Sequence, residues 1–213
     1  MMTNPFDEIA KNDYAVFQEK CEEIAIDLFS HHCIKCNGKE YYFAEIEFYY
    51  WDKEHWDEKW NRVTYPRICK AENLYYHLSG IDICFDSYYN EDDLNEKARF
   101  GGILIRAIRC ADGIVVSGPW NCMLKLLNEC KDGCMPQLAH SNGSRIQEKD
   151  IKQTYRALGE DDRKEDKIHH LKLCFYDSSI KKWNQDKVRL NKKSGLLEKY
   201  QSNYNTQRFD SLE

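Results

Sequence analysis

The sequence predicts a single α+β domain with an antiparallel core, and three observations carry that reading. Helical spacing of apolar residues over 14–30 is followed by Asn37-Gly38, the dipeptide most favourable to a two-residue hairpin. Short apolar runs bounded by turn residues recur at 41–50, 74–86, 101–108 and 171–176. The 213 residues show no internal repeat and no low-complexity tract, and this length sits near the upper end of one compact domain, taken as 1–213.

The elements follow in order. Val16, Phe17, Ile24, Ala25, Leu28 and Phe29 define the first helix, and His31 and His32 suit its C-terminus. A strand through Cys33–Cys36 turns at Asn37-Gly38 into an aromatic-rich strand, Glu40–Tyr50. Residues 51–73, with Trp51, Trp56 and Trp60, read as an irregular excursion. Two short strands are expected around Ser79-Gly80, an acidic loop over 87–99, a compact apolar strand over Gly101–Ile108 and a further short one at Ile114–Val116. Ser117-Gly118-Pro119 then opens a helix to about Glu129, with Ser117 as cap and Pro119 in the first turn. Residues 131–146 read as loop, 147–157 as a short helix, and Leu171–Tyr176 as a last strand.

Composition narrows the class. No run approaches the roughly 20 apolar residues of a membrane helix, and the polar, acidic start Met1–Glu8 lacks a secretory pattern. Membrane contact and export are not expected; a cytoplasmic, monomeric protein is, nucleoid-associated if the cell is bacterial. The ten cysteines then read as reduced and mostly buried. Cys33 and Cys36, beside His31 and His32, raise the question of zinc, but residues three apart on a strand face opposite ways. Cys130 with Cys134 gives no stronger pattern, so no metal is expected.

The net charge of −5 does not favour nucleic acid, whose phosphates attract Lys and Arg. Its distribution is uneven. Residues 1–100 hold 11 Lys and Arg against 21 Asp and Glu, whereas 101–213 hold 20 against 15. Any polyanion surface is therefore expected around Lys181, Lys182, Lys187, Arg189, Lys192 and Lys193, unless these simply form a solvated face.

Strand 41–50 carries the chemistry. Period-two geometry places Tyr41, Phe43, Glu45, Glu47 and Tyr49 on one face and Tyr42, Ala44, Ile46, Phe48 and Tyr50 on the other. Two carboxylates beside a tyrosine mark either a pocket or a wet outer face, which antiparallel sheets commonly have. Arg106, inside Ile-Leu-Ile-Arg-Ala-Ile, needs a carboxylate partner if buried, with Glu45, Glu47, Asp82 and Asp86 as candidates. A structural ion pair would satisfy it as well as a catalytic one.

These segments, in this order, resemble the alkyladenine (3-methyladenine) DNA glycosylase family. Ala25-Ile-Asp-Leu-Phe29 precedes Glu45-Ile-Glu47-Phe-Tyr49, similar to that family's Glu-x-Glu-Ala-Tyr. Leu74-Tyr-Tyr-His-Leu-Ser-Gly80-Ile-Asp-Ile-Cys84-Phe-Asp86 resembles its Tyr- and Gly-containing hairpin. Ile103-Leu-Ile-Arg106-Ala and Ser117-Gly-Pro119 follow in the family's order. The match covers about residues 20–130. It departs at Ser79, where the family has a wedging tyrosine, at Asp86, where it has a discriminating Asn, and at Trp120-Asn-Cys122 in the helix after Ser-Gly-Pro.

The resemblance implies an antiparallel, partly open-barrel-like sheet flanked by helices, and a monofunctional N-glycosylase that flips a damaged or modified base out of DNA for excision. It makes Glu47 the base that activates water, with Arg106 beside it in the active site. Tyr49 would stack on the extruded base, His55 would line the opposite wall, and either Tyr76 or His77 would hold the second stacking position. Asp86 would stand at the pocket floor, with Glu45 and Asp82 as further substrate-side carboxylates. Hydrolysis by an activated water needs no metal or organic cofactor. The acidic first half and the absent wedge keep two alternatives open: a hydrolase of a small nucleoside or nucleotide, and a non-catalytic nucleic-acid-binding module with this fold.

Overall fold

A computed structural model describes residues 5–6, 9, 13–52, 64–89, 98–131, 133–141, 146–156 and 171–180, together with the backbone of 186–190 and 197–201. Helix α1 (Tyr14–His31) starts where Asp13 Oδ1 accepts the Val16 amide at 3.2 Å, which satisfies one of the free donors of the first turn. The chain passes directly into β1 (His32–Cys36), turns at Asn37-Gly38 and returns as β2 (Lys39–Asp52). Both turn residues have positive φ, 48° and 74°, as this hairpin turn requires.

β3 (Leu74–His77) and β4 (Gly80–Cys84) form the next hairpin, β5 (Arg99–Cys110) is the second long strand, and β6 (Val115–Ser117) pairs with its end. The β3–β4 turn is Leu78-Ser79, so Gly80 belongs to the strand and not to the turn. Helix α2 (Pro119–Asn128) has Gly118 as its cap; Ser117 is the last residue of β6 and does not cap. Strands β7 (Gln137–His140), β8 (Ile151–Thr154) and β9 (Cys174–Asp177) complete a nine-stranded antiparallel sheet of path β3-β4-β5-β2-β1-β7. In it β9 pairs with β2 and β8 with β9, so the sheet curls into a half-barrel and the fold is α+β. A separate hairpin pairs β10 (Asp186–Leu190) with β11 (Leu197–Gln201).

Two segments take a different secondary structure from the one the sequence leads one to expect. Residues 137–140, expected as loop, form an edge strand against β1, and 151–154, expected as helix, follow a single 3-10 turn as a strand against β9. Gln-Leu-Ala-His and Ile-Lys-Gln-Thr are short and mostly polar, and edge strands of that kind take their conformation from the ladder they join more than from intrinsic preference.

Both helices pack on one sheet face. Phe17, Cys21, Ala25, Leu28 and Phe29 of α1 and Cys122, Met123 and Leu126 of α2 join Ile46, Phe48, Tyr50, Ile103, Ile105 and Phe175 in one buried cluster. The β2–β5 ladder runs from Tyr41↔Cys110 to Asp52↔Arg99 and is broken by two adjacent register shifts. Ala44 is bypassed between Phe43↔Ile108 and Glu45↔Ala107, and Arg106 is bypassed between Glu45↔Ala107 and Ile46↔Ile105. An extra residue in a strand reverses the alternation beyond it. Tyr41 and Phe43 therefore share the core face with Ile46, Phe48 and Tyr50, while Ala44 packs with Ala107 and Val115 elsewhere. Strict alternation had placed Tyr41 and Phe43 with Glu45 and Glu47; the bulge separates them.

Gly101 and Gly102 let β5 pass close to its neighbours. A Cβ on Gly101 would run into the Tyr49 carbonyl oxygen and stand 2.9 Å from Tyr50 Cα, and one on Gly102 would meet the Ile83 carbonyl oxygen at 2.7 Å. These obstacles are backbone atoms that cannot swing aside. Gly101→Ala is expected to cost about 3 kcal/mol or more through overpacking, read as a lowered denaturation midpoint with unchanged steepness.

Candidate functional site

The sheet face away from the helices carries a row of polar side chains set by register. Tyr75 pairs with Asp82, Asp82 with Leu104, Leu104 with Glu47, and Glu47 with Cys174, so these residues of β3, β4, β5, β2 and β9 project to the same side. Tyr49, Gly102 and Cys84 form the next row on that side.

Glu47 lies at the centre with no exposed surface. Its Oε1 accepts a hydrogen bond from the Tyr49 hydroxyl, and its Oε2 lies 2.8 Å from Arg106 Nη1. That contact is close enough for an ion pair yet off the hydrogen-bonding direction, so Oε2 accepts no hydrogen bond among the described residues. Arg106 Nε donates to Glu45 Oε1 at 2.8 Å, and the Cys174 thiol donates to the same oxygen at 3.5 Å. One guanidinium thus spans two carboxylates, and the irregularity at residue 106 aims it there.

Electrostatics holds this cluster in one protonation pattern. Burial, and after it the Glu47 carboxylate, push the Tyr49 hydroxyl well above its ordinary value, so it remains a donor. Burial alone would lower the Arg106 pKa, but the Glu47 and Glu45 carboxylates outweigh it and raise it. The Cys174 thiol is raised by burial and by the same two carboxylates, and stays protonated. Arg156, 1% exposed, lies with its guanidinium 5.2 Å above the Tyr49 ring and donates to the Phe48 carbonyl at 3.4 Å.

A second ionic group sits along the same row. Asp82 Oδ2 accepts from Arg67 Nη1 at 2.5 Å, and its Oδ1 lies 3.1 Å from His77 Nε2. The Ser79 amide donates to His77 Nδ1 at 3.2 Å, which fixes the proton of the neutral ring on Nε2, facing Asp82. Arg67 also lies 4.3 Å above the Tyr75 ring. Asp82 and Glu47 are two strands apart, about 10 Å between backbones at ordinary sheet spacing.

Burial would raise the Asp82 pKa, but His77 and Arg67 more than offset it and the value is lowered. Glu129 is lowered to about 2, chiefly by hydrogen bonds from Lys125 and Lys39. A carboxylate depressed in the folded state contributes stability that is full above its unfolded pKa, about 4, and is lost as pH falls through the folded value. Denaturation midpoints are therefore expected to decline from about pH 4 downward, and Arg67→Met is expected to lower the midpoint at neutral pH and make that decline shallower, because Asp82 then takes up its proton more readily in the folded state.

The structure brings Glu45, Glu47, Tyr49 and Arg106 together, with Asp82 and His77 farther along the same face. Tyr76 pairs with Ile81 on the opposite face and packs against the core, so of the two stacking candidates only His77 shares the side of Glu47. Asp86 is half-exposed and pairs with Arg99 at 3.5 Å, apart from both ionic groups. His55 lies outside the described residues, as do Lys181, Lys182, Lys192 and Lys193; Lys187 and Arg189 fall on the β10 backbone. Sequence reasoning missed Arg67, Arg156 and Cys174. The first lies in the irregular excursion and the second in a stretch read as helix. Cys174 was legible as a strand cysteine, but its neighbour across the sheet was not.

Among the described residues, no helix is long and apolar enough to cross a membrane. No family model matches this chain, and no solved structure does. It is similar to an uncharacterized protein, L759, of Acanthamoeba polyphaga mimivirus, at 27% identity over 138 residues. The match covers 57% of this chain and 63% of that protein, so the chain spans less than two thirds of its relative's length.

Proposed function

We propose that the protein hydrolyses the N-glycosidic bond of a damaged or modified nucleobase in DNA, with Glu47 as the base that activates water. The observation that carries this reading is Glu47 Oε2, an oxygen of a fully buried carboxylate, ion-paired but accepting no hydrogen bond among the described residues. A water placed there would donate one proton to Oε2 and direct a lone pair at C1′ of the sugar. As the bond to the base breaks, Glu47 takes that proton, and Arg106 stabilises the carboxylate beforehand and orients it. Tyr49 holds Oε1, which leaves Oε2 for the water. Its ring is covered at 5.2 Å by Arg156, so a base entering this site would stack on the other face.

The complete burial of Glu47 supports a second reading, that of a module which keeps the network as structure and binds nucleic acid without chemistry. Incubation with alkylated and deaminated oligonucleotides, and separately with the free modified nucleosides, followed by detection of released base, decides between them. Release from oligonucleotides supports the glycosylase; release from nucleosides alone makes it a small-molecule hydrolase; no release with salt-dependent retention of DNA leaves the binding module.

Segments 41–50, 74–86 and 101–108 contain no lysine to form a Schiff base with the sugar. The reaction is expected to stop at the abasic site, so borohydride should trap no covalent complex. Nucleic-acid contact is assigned to the basic second half of the chain. Charge reversal at Lys181, Lys182, Lys192 and Lys193 is expected to weaken DNA retention and flatten its dependence on salt; an unchanged slope would exclude that surface.

A further inference from the structure

The polar sheet face does not involve the cysteines gathered where the end of β1 meets the end of α2. Cys36 closes β1, Cys130 follows α2 by two residues, and Cys134 lies four residues beyond, after Gly133, whose φ of 79° forms the turn. Cys36 Sγ and Cys130 Sγ are 3.8 Å apart. Two sulfurs bound at about 2.3 Å to one tetrahedral zinc stand about 3.8 Å apart, whereas a disulfide would bring them to about 2.05 Å. Cys134 is tied to the same corner, because its Sγ accepts the amide of Asn37, the residue after Cys36, at 3.3 Å; the three sulfurs do not all lie within 4.8 Å of one another, so binding of an ion has to draw the exposed Cys134 toward the pair.

We propose that Cys36, Cys130 and Cys134 form a binding site for one zinc ion, with water in the fourth tetrahedral position. The two inner thiols direct their protons at a single acceptor, the Leu126 carbonyl, at 3.7 and 3.5 Å. Loading replaces those contacts: three S–H protons pass to the buffer, three Zn–S bonds form, and no electron moves. The site then carries one net negative charge. Lys39 and Lys125, whose ammonium groups hold the Glu129 carboxylate at 2.6 and 2.7 Å beside Cys130, lie close enough to offset it. Among the described residues the buried hydroxyl of Tyr76 has no hydrogen-bond partner, and burial first, then Cys130 and Cys36, raise its pKa. A thiolate at either would give it an acceptor. Access follows the exposure of the three sulfurs, since Cys134 is exposed, Cys130 half-buried and Cys36 fully buried. Cys33 stays outside the site, paired across from Ala139 on β1, which is why the Cys33-x-x-Cys36 spacing alone gives no metal pattern.

This proposal is independent of the glycosidic reading and is tested on the full chain, reduced and freed of metal. Titration with cobalt(II) is expected to produce a thiolate-to-cobalt charge-transfer band that saturates at one ion per chain and is displaced by zinc. Zinc is expected to protect three of the ten cysteines from a thiol reagent. Cys134→Ser changes an exposed side chain and should fold; it is expected to weaken cobalt binding by more than the 10- to 100-fold typical of losing an outer-shell partner. Cys130→Ser is expected to do the same, and Cys33→Ser and Cys174→Ser to leave the band intact. No band at one equivalent would overturn the proposal, as would a band that survives both Cys130→Ser and Cys134→Ser or is lost in Cys174→Ser. Peroxide forming a Cys36–Cys130 disulfide equally fast with and without zinc would also overturn it, and would assign the pair to redox chemistry.

Discussion

Glu47→Gln is expected to lower base release by roughly 10²- to 10⁴-fold, the range general-base catalysis supplies, while leaving substrate retention close to wild type. Glutamine keeps the size of the side chain and can still accept from the Tyr49 hydroxyl, so the packing around this fully buried position should survive. What it lacks is the basicity to take a proton from water at Oε2. Glu45→Gln is the control, because it lies two residues away on the same face and its recorded partners are Arg106 and Cys174. Single-turnover assays with excess enzyme, alongside circular dichroism of each variant, measure the effect on chemistry. Loss of activity in Glu45→Gln with retention in Glu47→Gln would exchange the two roles; equal activity of all three proteins would exclude a carboxylate base on this strand.

Arg106→Met is expected to destabilise the fold by about 3–5 kcal/mol, the range for breaking a buried ion pair by removing one partner. The guanidinium is the cation spanning Glu45 and Glu47, whose side chains are 13% and 0% exposed, so its loss leaves two carboxylates together in a low-dielectric setting. The triple variant Arg106→Met, Glu45→Gln, Glu47→Gln is expected to recover much of that loss, because it removes the stranded charges along with their partner. Guanidinium chloride unfolding of the set measures both. Equal stability of the single and triple variants would mean that packing, not charge, is what Arg106 supplies.

Much of this architecture was legible where local chemistry dominates. Asn37-Gly38 specified the first hairpin because few residues adopt positive φ cheaply, and the carboxylates of Glu45 and Glu47 pointed to Arg106 because a charge within Ile-Leu-Ile-Arg-Ala-Ile needs a partner. What stayed hidden depended on pairing between distant segments. Gln137–His140 and Ile151–Thr154 are strands only because β1 and β9 present free edges. Arg67 reaches Asp82 from a stretch with no periodicity, and the Cys36–Cys130 approach joins residues far apart in the chain. The side of the sheet taken by Tyr41 and Phe43 was misread for a different reason, since a bulge leaves no mark in a run of aromatic residues.

That bulge makes the place of a length change in β2 decide its effect. Ala44 and Arg106 each stand bypassed in the ladder, one on each strand, and the two irregularities cancel so that pairing beyond them resumes the original registration. Deleting Ala44 would straighten β2 without turning any other side chain to the wrong face: Tyr41 and Phe43 would fall into step with Ile46, Phe48 and Tyr50, and Glu45 and Glu47 would stay on the ionic side. The loss would be the small cluster that Ala44 forms with Ala107 and Val115. Deleting Ile46 would instead set the two ends of the strand against each other, because Glu45 and Glu47 would become neighbours and face opposite ways. In a mutational scan, single-residue deletions across this segment should therefore be accepted best at 44 and rejected beyond it.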